Sequence, residues 1–495
     1  MSTLRRTFVS GPLCLMTALI LGTGTAATGS PTTAAPAHRA VSFDAPGQAS
    51  VRPHDSGNCS NMATLAKCVM KILAPAGGIH GVYLQRIGGS VLASDNASYP
   101  FEPASSIKPV IALYAITQVE KGLAHLSDRV PRIDESGGRE DCPPDTFSGT
   151  EPLGTALQQM MEVSDNNRTD ELMQYFGVAH LNAFATSLGM RHTRFHTSPI
   201  PPGFNVIGCL SYGYDPLPHT VDGNTMSLAD ASKLWAAVAA LPAPYADAFY
   251  ELAAGRDMNN SQGYDFTGIW PSMTTIAMQE APAALSSTQT QQFIDHMSVS
   301  VKGGNYWVVD CATTPCREAT WWVFAGSAQI PGCSGTTMTH TPYTWGYFVS
   351  DAVEASEANP DDTVAASAFY GASGQLLAAP IAQGLAHWWR CSPKHDSRLG
   401  ISAKAVSTGT TVNIATALAT VTDSDRTDIS PDLDGLINWG DATATSDATL
   451  SGGSGRFTVY GWHAYRKKGT YTVRVRVLSL ESGRSATVKV TLKVT

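Results

Sequence analysis

Three short clusters of chemically reactive residues stand out in this sequence. In chain order they are Ser105-Ser106-Ile107-Lys108, Ser164-Asp165-Asn166 and Lys302-Gly303-Gly304. A serine followed three residues later by a lysine suits nucleophilic catalysis, because a neutral amine can take the proton of a nearby hydroxyl. Each cluster alone is weak evidence, since a Ser three positions before a Lys arises by chance about once in a chain of this composition. The order of the three clusters and their sequence contexts are the stronger evidence for a catalytic site.

The first cluster is predicted to lie at the start of a helix. Pro109 lacks an amide hydrogen and is tolerated only in a first helical turn, which places Ser105 at the helix start. The hydroxyl would there meet free backbone N–H groups and the positive end of the helix dipole. Lys108 is one turn further on the same face and could act as the base if its pKa is lowered. The alternative is that Ser105 only caps the helix and that Lys108 is solvated.

Hydrophobic periodicity predicts the elements that position these clusters. Helices are expected from Met62 to Leu73 and from Ser105 to Glu120, and the second is apolar nearly all round, as in a helix inside a domain. Two strands, 82–87 and 91–93, are predicted to form a hairpin around Gly88-Gly89, because glycine supplies the positive φ of a tight turn.

The later part of this region is predicted to return to strands. The expected strands cover residues 299–302, 306–309, 320–325 and 347–349. Ser227-Leu-Ala-Asp230 resembles a capping box, and a last helix is expected between Gly374 and Trp389, starting at Pro380. Strands at both ends with helices between them predict an α/β (α+β) fold, in which an antiparallel sheet is completed by both ends of the domain beside a helical lobe.

Residues from about 400 to 495 have a different pattern. Apolar and polar residues alternate strictly from Tyr471 to Val477 and from Val488 to Val494. This period of two is typical of half-buried strands, so a small all-β domain is predicted.

Taken together, the three clusters and their contexts resemble the penicillin-recognising serine hydrolases, most closely the class A β-lactamase-like branch, from about residue 60 to 390. The resemblance implies Ser105 as the acyl-accepting nucleophile and Lys108 as its base. It also implies the following roles: Ser164 as proton shuttle to the leaving nitrogen, Asn166 as substrate hydrogen-bond donor, and Lys302 and Gly304 as substrate-binding residues, Lys302 acting electrostatically. The backbone N–H groups of Ser105 and Asn305 would form the oxyanion hole.

Two departures from the family pattern affect the expected activity. Gly303 stands where the family has a Thr or Ser hydroxyl that binds a substrate carboxylate, which weakens recognition of an acidic group. The stretch 197–205, where the family carries a Glu that activates water, contains no acid, and the nearest downstream acids are Asp215 and Asp222. Insertions are expected near 197–225 and 255–275. Inefficient β-lactam turnover is therefore predicted.

The resemblance leaves other functions open. One is a D-Ala-D-Ala peptidase or an esterase using the same site. Another is a degenerate protein kept as a binding or adhesion module, which Gly303 and the missing Glu favour and the intact clusters oppose. The substrate would be a small molecule or peptide-like, a β-lactam or a cell-wall peptide, and no metal or organic cofactor is expected.

The C-terminal residues resemble a second family. Asn438-Trp-Gly-Asp441 and the stretch from His463 to Val473 are similar to the core of a PKD domain, an immunoglobulin-like sandwich of extracellular proteins. Trp439 and Tyr465 are expected to pack in its core, and Asp441 to bond a turn. Such a domain would space or attach its neighbour, through contact with a cell surface or polysaccharide.

The ends and the composition predict an exported protein. Residues 1–27 have the basic start, short apolar run and small-residue exit of a signal peptide, 28–55 are expected to be a flexible lead-in, and the two domains are assigned to 56–393 and 400–495. No segment is long and apolar enough to span a membrane. With 33 Lys and Arg against 41 Asp and Glu and no basic run, nucleic acid is not expected as a partner.

Eight cysteines follow the predicted signal peptide, and an even number in an exported chain favours disulfides over free thiols. Proximity in sequence suggests Cys59 with Cys68, and Cys311 with Cys316. The resemblance places the regions around Cys142 and Cys209 at the edge of the cleft, which suggests a third pair.

Overall fold

The structure is a computed structural model that describes residues 59–133, 147–195, 224–253, 269–310, 317–354, 364–391 and 398–495. We call residues 59–391 the mixed region and residues 398–495 the C-terminal region. The predicted signal peptide, the lead-in and the stretch 197–205 lie outside the described residues. None of the helices in the described part of the chain has the length and hydrophobicity to cross a lipid bilayer.

The mixed region contains helices and strands in the predicted order, with one strand pair in its middle, residues 129–133 and 147–152, that was not predicted. Helices α1 to α11 span Leu65–Leu73, Lys108–Glu120, Leu153–Glu162, Asn166–Phe176, Val178–Ser187, Leu228–Ala239, Tyr245–Leu252, Ile269–Glu280, Ser287–Asp295, Val364–Gly371 and Ala378–Leu385. Strands β1 to β7 span Ile79–Arg86, Val91–Asp95, Arg129–Ile133, Phe147–Pro152, Ser298–Asp310, Arg317–Ser334 and Thr337–Glu354.

Five of these strands form one antiparallel sheet in the order β2-β1-β7-β6-β5. The predicted sheet is confirmed, because β1, from the start of the region, pairs with β7, from its end. The predicted break between 302 and 306 is wrong: β5 is continuous, and Gly303 and Gly304 pair with Phe324 and Val323 of β6. Pairing continues through the glycines because backbone groups, not side chains, make the ladder.

The helical lobe is built around α2, as its apolar pattern predicts. Val110, Ile111, Leu113 and Ile116 are all almost fully buried, in one core with residues of α3, α4, α5 and α6. A helix buried on all sides is a rigid support for the residues at its start.

Two predicted helix starts differ in detail from the structure. At the predicted capping box, Ser227 accepts a hydrogen bond from the Asp230 N–H at 3.2 Å, as expected. The Asp230 carboxylate bonds to other groups than Ser227: it accepts from the N–H of His192 at 2.6 Å and from Lys233 at 2.9 Å. The last helix begins at Ala378, two residues before the predicted Pro380, because a 3₁₀ turn leads directly into it.

The C-terminal region is all β, as predicted. Strands β8 to β18 span Leu399–Ala403, Val406–Thr408, Thr411–Val412, Ala417–Asp423, Leu433–Asn438, Ser446–Asp447, Thr449–Gly453, Arg456–Tyr460, His463–Ala464, Gly469–Ser479 and Ser485–Val494. Two main sheets, β14-β15-β11-β8 and β13-β12-β17-β18-β9, contribute to one hydrophobic core. Trp439 and Tyr465 are buried in that core, and the Tyr465 hydroxyl donates to the Trp439 carbonyl at 3.0 Å. Asp441 bonds a turn, accepting from the N–H of Thr443 at 3.2 Å.

The described residues contain two disulfides. The predicted bridge between Cys59 and Cys68 is confirmed. A second bridge, which sequence proximity did not suggest, joins Cys333 near the end of β6 to Cys391 after the last helix. The predicted pairs Cys311 with Cys316 and Cys142 with Cys209 lie outside the described residues.

Candidate active site

Ser105 lies in a short 3₁₀ turn, Ala104–Ile107, that leads into α2. Residues three apart eclipse one another in such a turn, so Ser105 and Lys108 share one side, and the Lys108 N–H donates to the Ser105 carbonyl. Ser105 is half-buried, whereas Ser106 is buried and its hydroxyl donates to the Pro103 carbonyl at 2.7 Å. The Ser105 hydroxyl is therefore the more available of the two.

Lys108 is buried, so the alternative of a solvated lysine is wrong. Its Nζ lies 2.5 Å from the carbonyl oxygen of Ser164, 3.1 Å from the Ser164 hydroxyl and 2.8 Å from Oδ1 of Asn166. As an ammonium it donates to all three, whereas as a neutral amine it donates to the carbonyl and to Oδ1 and can accept from the Ser164 hydroxyl. These three bonds tie the first cluster to the second across more than fifty residues of sequence. Because Asn166 accepts through Oδ1, its amide nitrogen remains a donor.

The surroundings of Lys108 favour its neutral form. Loss of hydration on burial lowers the pKa of this amine well below its ordinary value, and the positive charge of Lys302 lowers it further. Asp165 and Asp170 act in the opposite direction, because their carboxylates favour the ammonium. A neutral Lys108 has the lone pair that a general base requires.

The loop that carries Ser164 is held by charged groups beneath it. The Asp165 side chain caps α4, accepting from the N–H of Arg168 at 3.1 Å. The Arg168 side chain bonds Glu151 at 2.9 Å, and both side chains are more than 90% buried. A buried ion pair of this kind costs several kcal/mol when one partner is removed, so it holds the loop firmly.

Two residues of the site, one in each of the first two clusters' loops, have strained backbone conformations. Ala104, directly before the nucleophile candidate, has φ +44°, and Ser164 has φ +56°. Such values are unfavourable for residues with a side chain and persist only where surrounding contacts impose them. One such contact is Glu102, a buried acid whose Oε1 accepts from the Ala104 N–H at 3.1 Å.

The edge strand β5 brings the third cluster against the same turn. A Cβ on Gly304 would lie 2.3 Å from the Pro103 carbonyl oxygen and 2.9 Å from the Ser105 nitrogen. Only glycine allows this approach. Two residues earlier, Lys302 is buried and makes no hydrogen bond to a described residue, and desolvation lowers its pKa to about 8.

The outer edge of β5 supplies backbone donors. The N–H of Val301 donates to the Ala253 carbonyl at 2.9 Å, which places it on the side away from β6. N–H groups alternate sides along a strand, and the pairing with β6 is regular from Ser298 to Asp310. The N–H of Asn305 therefore points to the same open edge as that of Val301.

The structure thus brings together the site residues that the sequence predicted: Ser105, Lys108, Ser164, Asn166, Lys302, Gly304 and the backbone of Asn305. Sequence reasoning missed three supporting residues, namely Glu102, Arg168 and Asp170. Asp170 lies one helical turn after Asn166, a spacing that could have indicated its face of α4. Asp215 and Asp222 lie outside the described residues.

A comparison with protein families finds a match for part of the chain. A family model described as the β-lactamase enzyme family matches residues 64–260. No curated protein matches the sequence. The family match ends before β5, and it supports a β-lactamase-like fold for the mixed region.

Solved structures similar to the chain include two β-lactamases and PBP-A. A β-lactamase from Xanthomonas campestris is 15% identical over 64% of this chain and 98% of that chain, with a TM-score of 0.42. A β-lactamase from Sphaerobacter thermophilus is 17% identical over 64% of this chain and 97% of that chain, with a TM-score of 0.39. The structure of PBP-A is 16% identical over 63% of this chain and 95% of that chain, with a TM-score of 0.39.

Proposed function

We propose that the protein is a serine acyl hydrolase of the β-lactamase and penicillin-binding type, acting on an amide or ester through an acyl-Ser105 intermediate. The observation that carries the proposal is the position of Lys108, a buried amine bonded to both Ser164 and Asn166 at the foot of the Ser105 turn. Burying a lysine where its charged form is disfavoured contributes nothing to stability, so such a position indicates a chemical role.

The reaction begins when neutral Lys108 takes the proton of the Ser105 hydroxyl. The Ser105 oxygen forms a bond to the substrate carbonyl carbon, and the resulting oxyanion accepts hydrogen bonds from the N–H groups of Ser105 and Asn305. The bond to the leaving nitrogen or oxygen then breaks as Lys108 returns the proton through the Ser164 hydroxyl. The positive charge of Lys302 stabilises negative charge on the substrate, and the Asn166 amide nitrogen donates to it.

Labelling with a fluorescent penicillin and with a fluorophosphonate tests this proposal. The adduct is located by mass spectrometry of the digested protein. Ser105→Ala should abolish labelling, whereas Ser106→Ala should retain it, because the Ser106 hydroxyl is occupied by the Pro103 carbonyl. Labelling of the Ser105→Ala variant would contradict the assignment of Ser105 as the nucleophile. If neither reagent labels the folded native protein, a non-catalytic binding module would be favoured.

Turnover of a β-lactam is proposed to be slow. Removal of the acyl group needs a water activated by a carboxylate, and the stretch 197–205 contains no acid. Loss of a positioned general base costs roughly 10² to 10⁴ in rate, so a burst of acylation followed by poor steady turnover is expected. Stopped-flow with a chromogenic cephalosporin measures both phases. Fast steady turnover would refute this expectation, and its loss in Asp222→Asn would identify the base.

The alternatives on the same site differ in substrate. Release of D-alanine from a cell-wall peptide would indicate a D-Ala-D-Ala peptidase, and turnover of simple esters alone would indicate an esterase. We further propose that the chain is secreted after cleavage near Ala27 and that the C-terminal region is a PKD-like domain contacting a cell surface or polysaccharide. N-terminal sequencing of the exported protein and pull-down on cell-wall polysaccharide test these two points.

A further inference from the structure

A buried cluster of a histidine and several acids lies where the mixed region meets the C-terminal region. His296 follows α9 in the mixed region, whereas Asp428, Asp432 and Glu481 belong to the C-terminal region. His296, Asp428 and Asp432 are each at most 1% exposed. We call these four residues the His296 cluster. None of them belongs to the candidate active site.

The histidine ring has a defined orientation in this cluster. Its Nδ1 lies 3.2 Å from Oδ2 of Asp432, and a carboxylate can only accept, so Nδ1 carries the proton and donates. In the neutral ring the other nitrogen, Nε2, has the lone pair, and it is buried without a hydrogen-bond partner among the described residues. A carboxylate that fixes one ring nitrogen while the other faces a ligand is the usual arrangement of metal-binding histidines.

The ligand-bearing atoms converge. His296, Asp428 and Glu481 each offer one donor atom within 4.8 Å of the others. Both oxygens of Asp428 are buried, and neither accepts a hydrogen bond from a described residue when Asp428 is a carboxylate. The side chain of Asp423 can form a hydrogen bond with Asp428 only if one of the two carboxyl groups carries a proton. A buried carboxylate without a donor is costly, so this position requires a positive charge or a proton.

Negative charge is concentrated around this position. Asp432, Asp423 and Asp425 all act electrostatically on Asp428, and Asp425 and Asp432 also act on Glu481. A divalent cation bound by His296, Asp428 and Glu481 would neutralise part of this charge.

We propose that His296, Asp428 and Glu481 bind a divalent metal ion of the zinc class, with Asp432 holding the His296 ring in place. An imidazole nitrogen with two carboxylates suits zinc, whereas calcium and magnesium prefer oxygen ligands alone. The ion joins the two regions. It also fixes the start of β5, because His296 lies two residues before that strand and six before Lys302. The proposal does not depend on the hydrolase activity.

Metal content and thermal stability of the full-length protein test the proposal. The protein is stripped with a chelator, dialysed, and loaded with zinc or calcium chloride, and bound metal is counted by elemental mass spectrometry. One equivalent of zinc should be retained, with a rise in Tm of several degrees, because the ion binds the folded state only. Asp428→Asn and His296→Gln should lose both effects. If either fails to fold, Glu481→Gln, at a less buried position, should show the same loss.

His463→Gln is the matched control. His463 and Asp441 form another histidine–carboxylate pair in the C-terminal region, 2.8 Å apart, so this variant should retain zinc binding. A rise in Tm with calcium and not with zinc would overturn the metal class. The site would be overturned if the native protein retains no metal and Asp428→Asn has a higher Tm both with and without zinc. That result would indicate that Asp428 and Asp423 share a proton.

Discussion

Replacing Lys302 with methionine should make the protein more stable and less active. Lys302 is buried on β5 without a hydrogen bond to a described residue, and desolvation lowers its pKa from 10.5 to about 8. Since each pKa unit corresponds to about 1.4 kcal/mol, the charged side chain costs at most about 3.5 kcal/mol of folding free energy. Methionine has a similar length and no charge, so Lys302→Met should recover most of that amount near pH 7.

The pH dependence of the stability gain distinguishes removal of the buried charge from better packing as its cause. The pKa of Lys302 is lower in the folded state than in the unfolded state, so the cost is complete below pH 8 and disappears as the pH rises from 8 to 10.5. The gain from Lys302→Met should therefore shrink between about pH 7 and about pH 10. Urea unfolding at both pH values measures it, with Lys71→Met, at an exposed position, as the control.

Activity should change in the opposite direction. Without the positive charge of Lys302, the pKa of Lys108 rises, so the acidic limb of the acylation rate moves to higher pH. A variant that is less stable than the native protein at pH 7, or whose gain is equal at both pH values, would show that the buried charge of Lys302 is not the cause. An acylation profile that keeps its acidic limb at the native pH would show that this charge does not lower the pKa of Lys108.

Two further predictions concern the supports of the site. Gly304→Ala should slow acylation by about 10² or more, because the added Cβ would push β5 away from Ser105. Gly332→Ala is the control and should acylate normally, because a Cβ there would make an ordinary 3.8 Å contact. Equal acylation rates for the two variants would contradict this prediction. Glu151→Gln should lower the free energy of unfolding by about 3 kcal/mol in urea and slow acylation, since it leaves Arg168 buried without its partner carboxylate. Unchanged stability would show that this ion pair does not hold the loop.

Local patterns were sufficient for much of the fold. The all-round apolar sequence of α2, the glycine hairpin after β1 and the alternation in β17 and β18 each depend on neighbours in sequence, and each prediction is confirmed. The predicted break in β5 was wrong because Gly303 and Gly304 are weak strand formers by themselves. Their pairing with β6 overrides that preference, and only the assembled sheet contains β6 beside them.

For the site, local patterns predict the identity and order of the residues and the helical-turn spacing of Ser105 and Lys108, because that spacing follows from backbone geometry. The burial of Lys108 against Ser164 and Asn166, and the contact of Gly304 with the Ser105 turn, depend on tertiary packing. The same is true of His296 and Asp432, which are 136 residues apart. Contacts of this kind have no period in sequence, because they depend on how the whole chain packs.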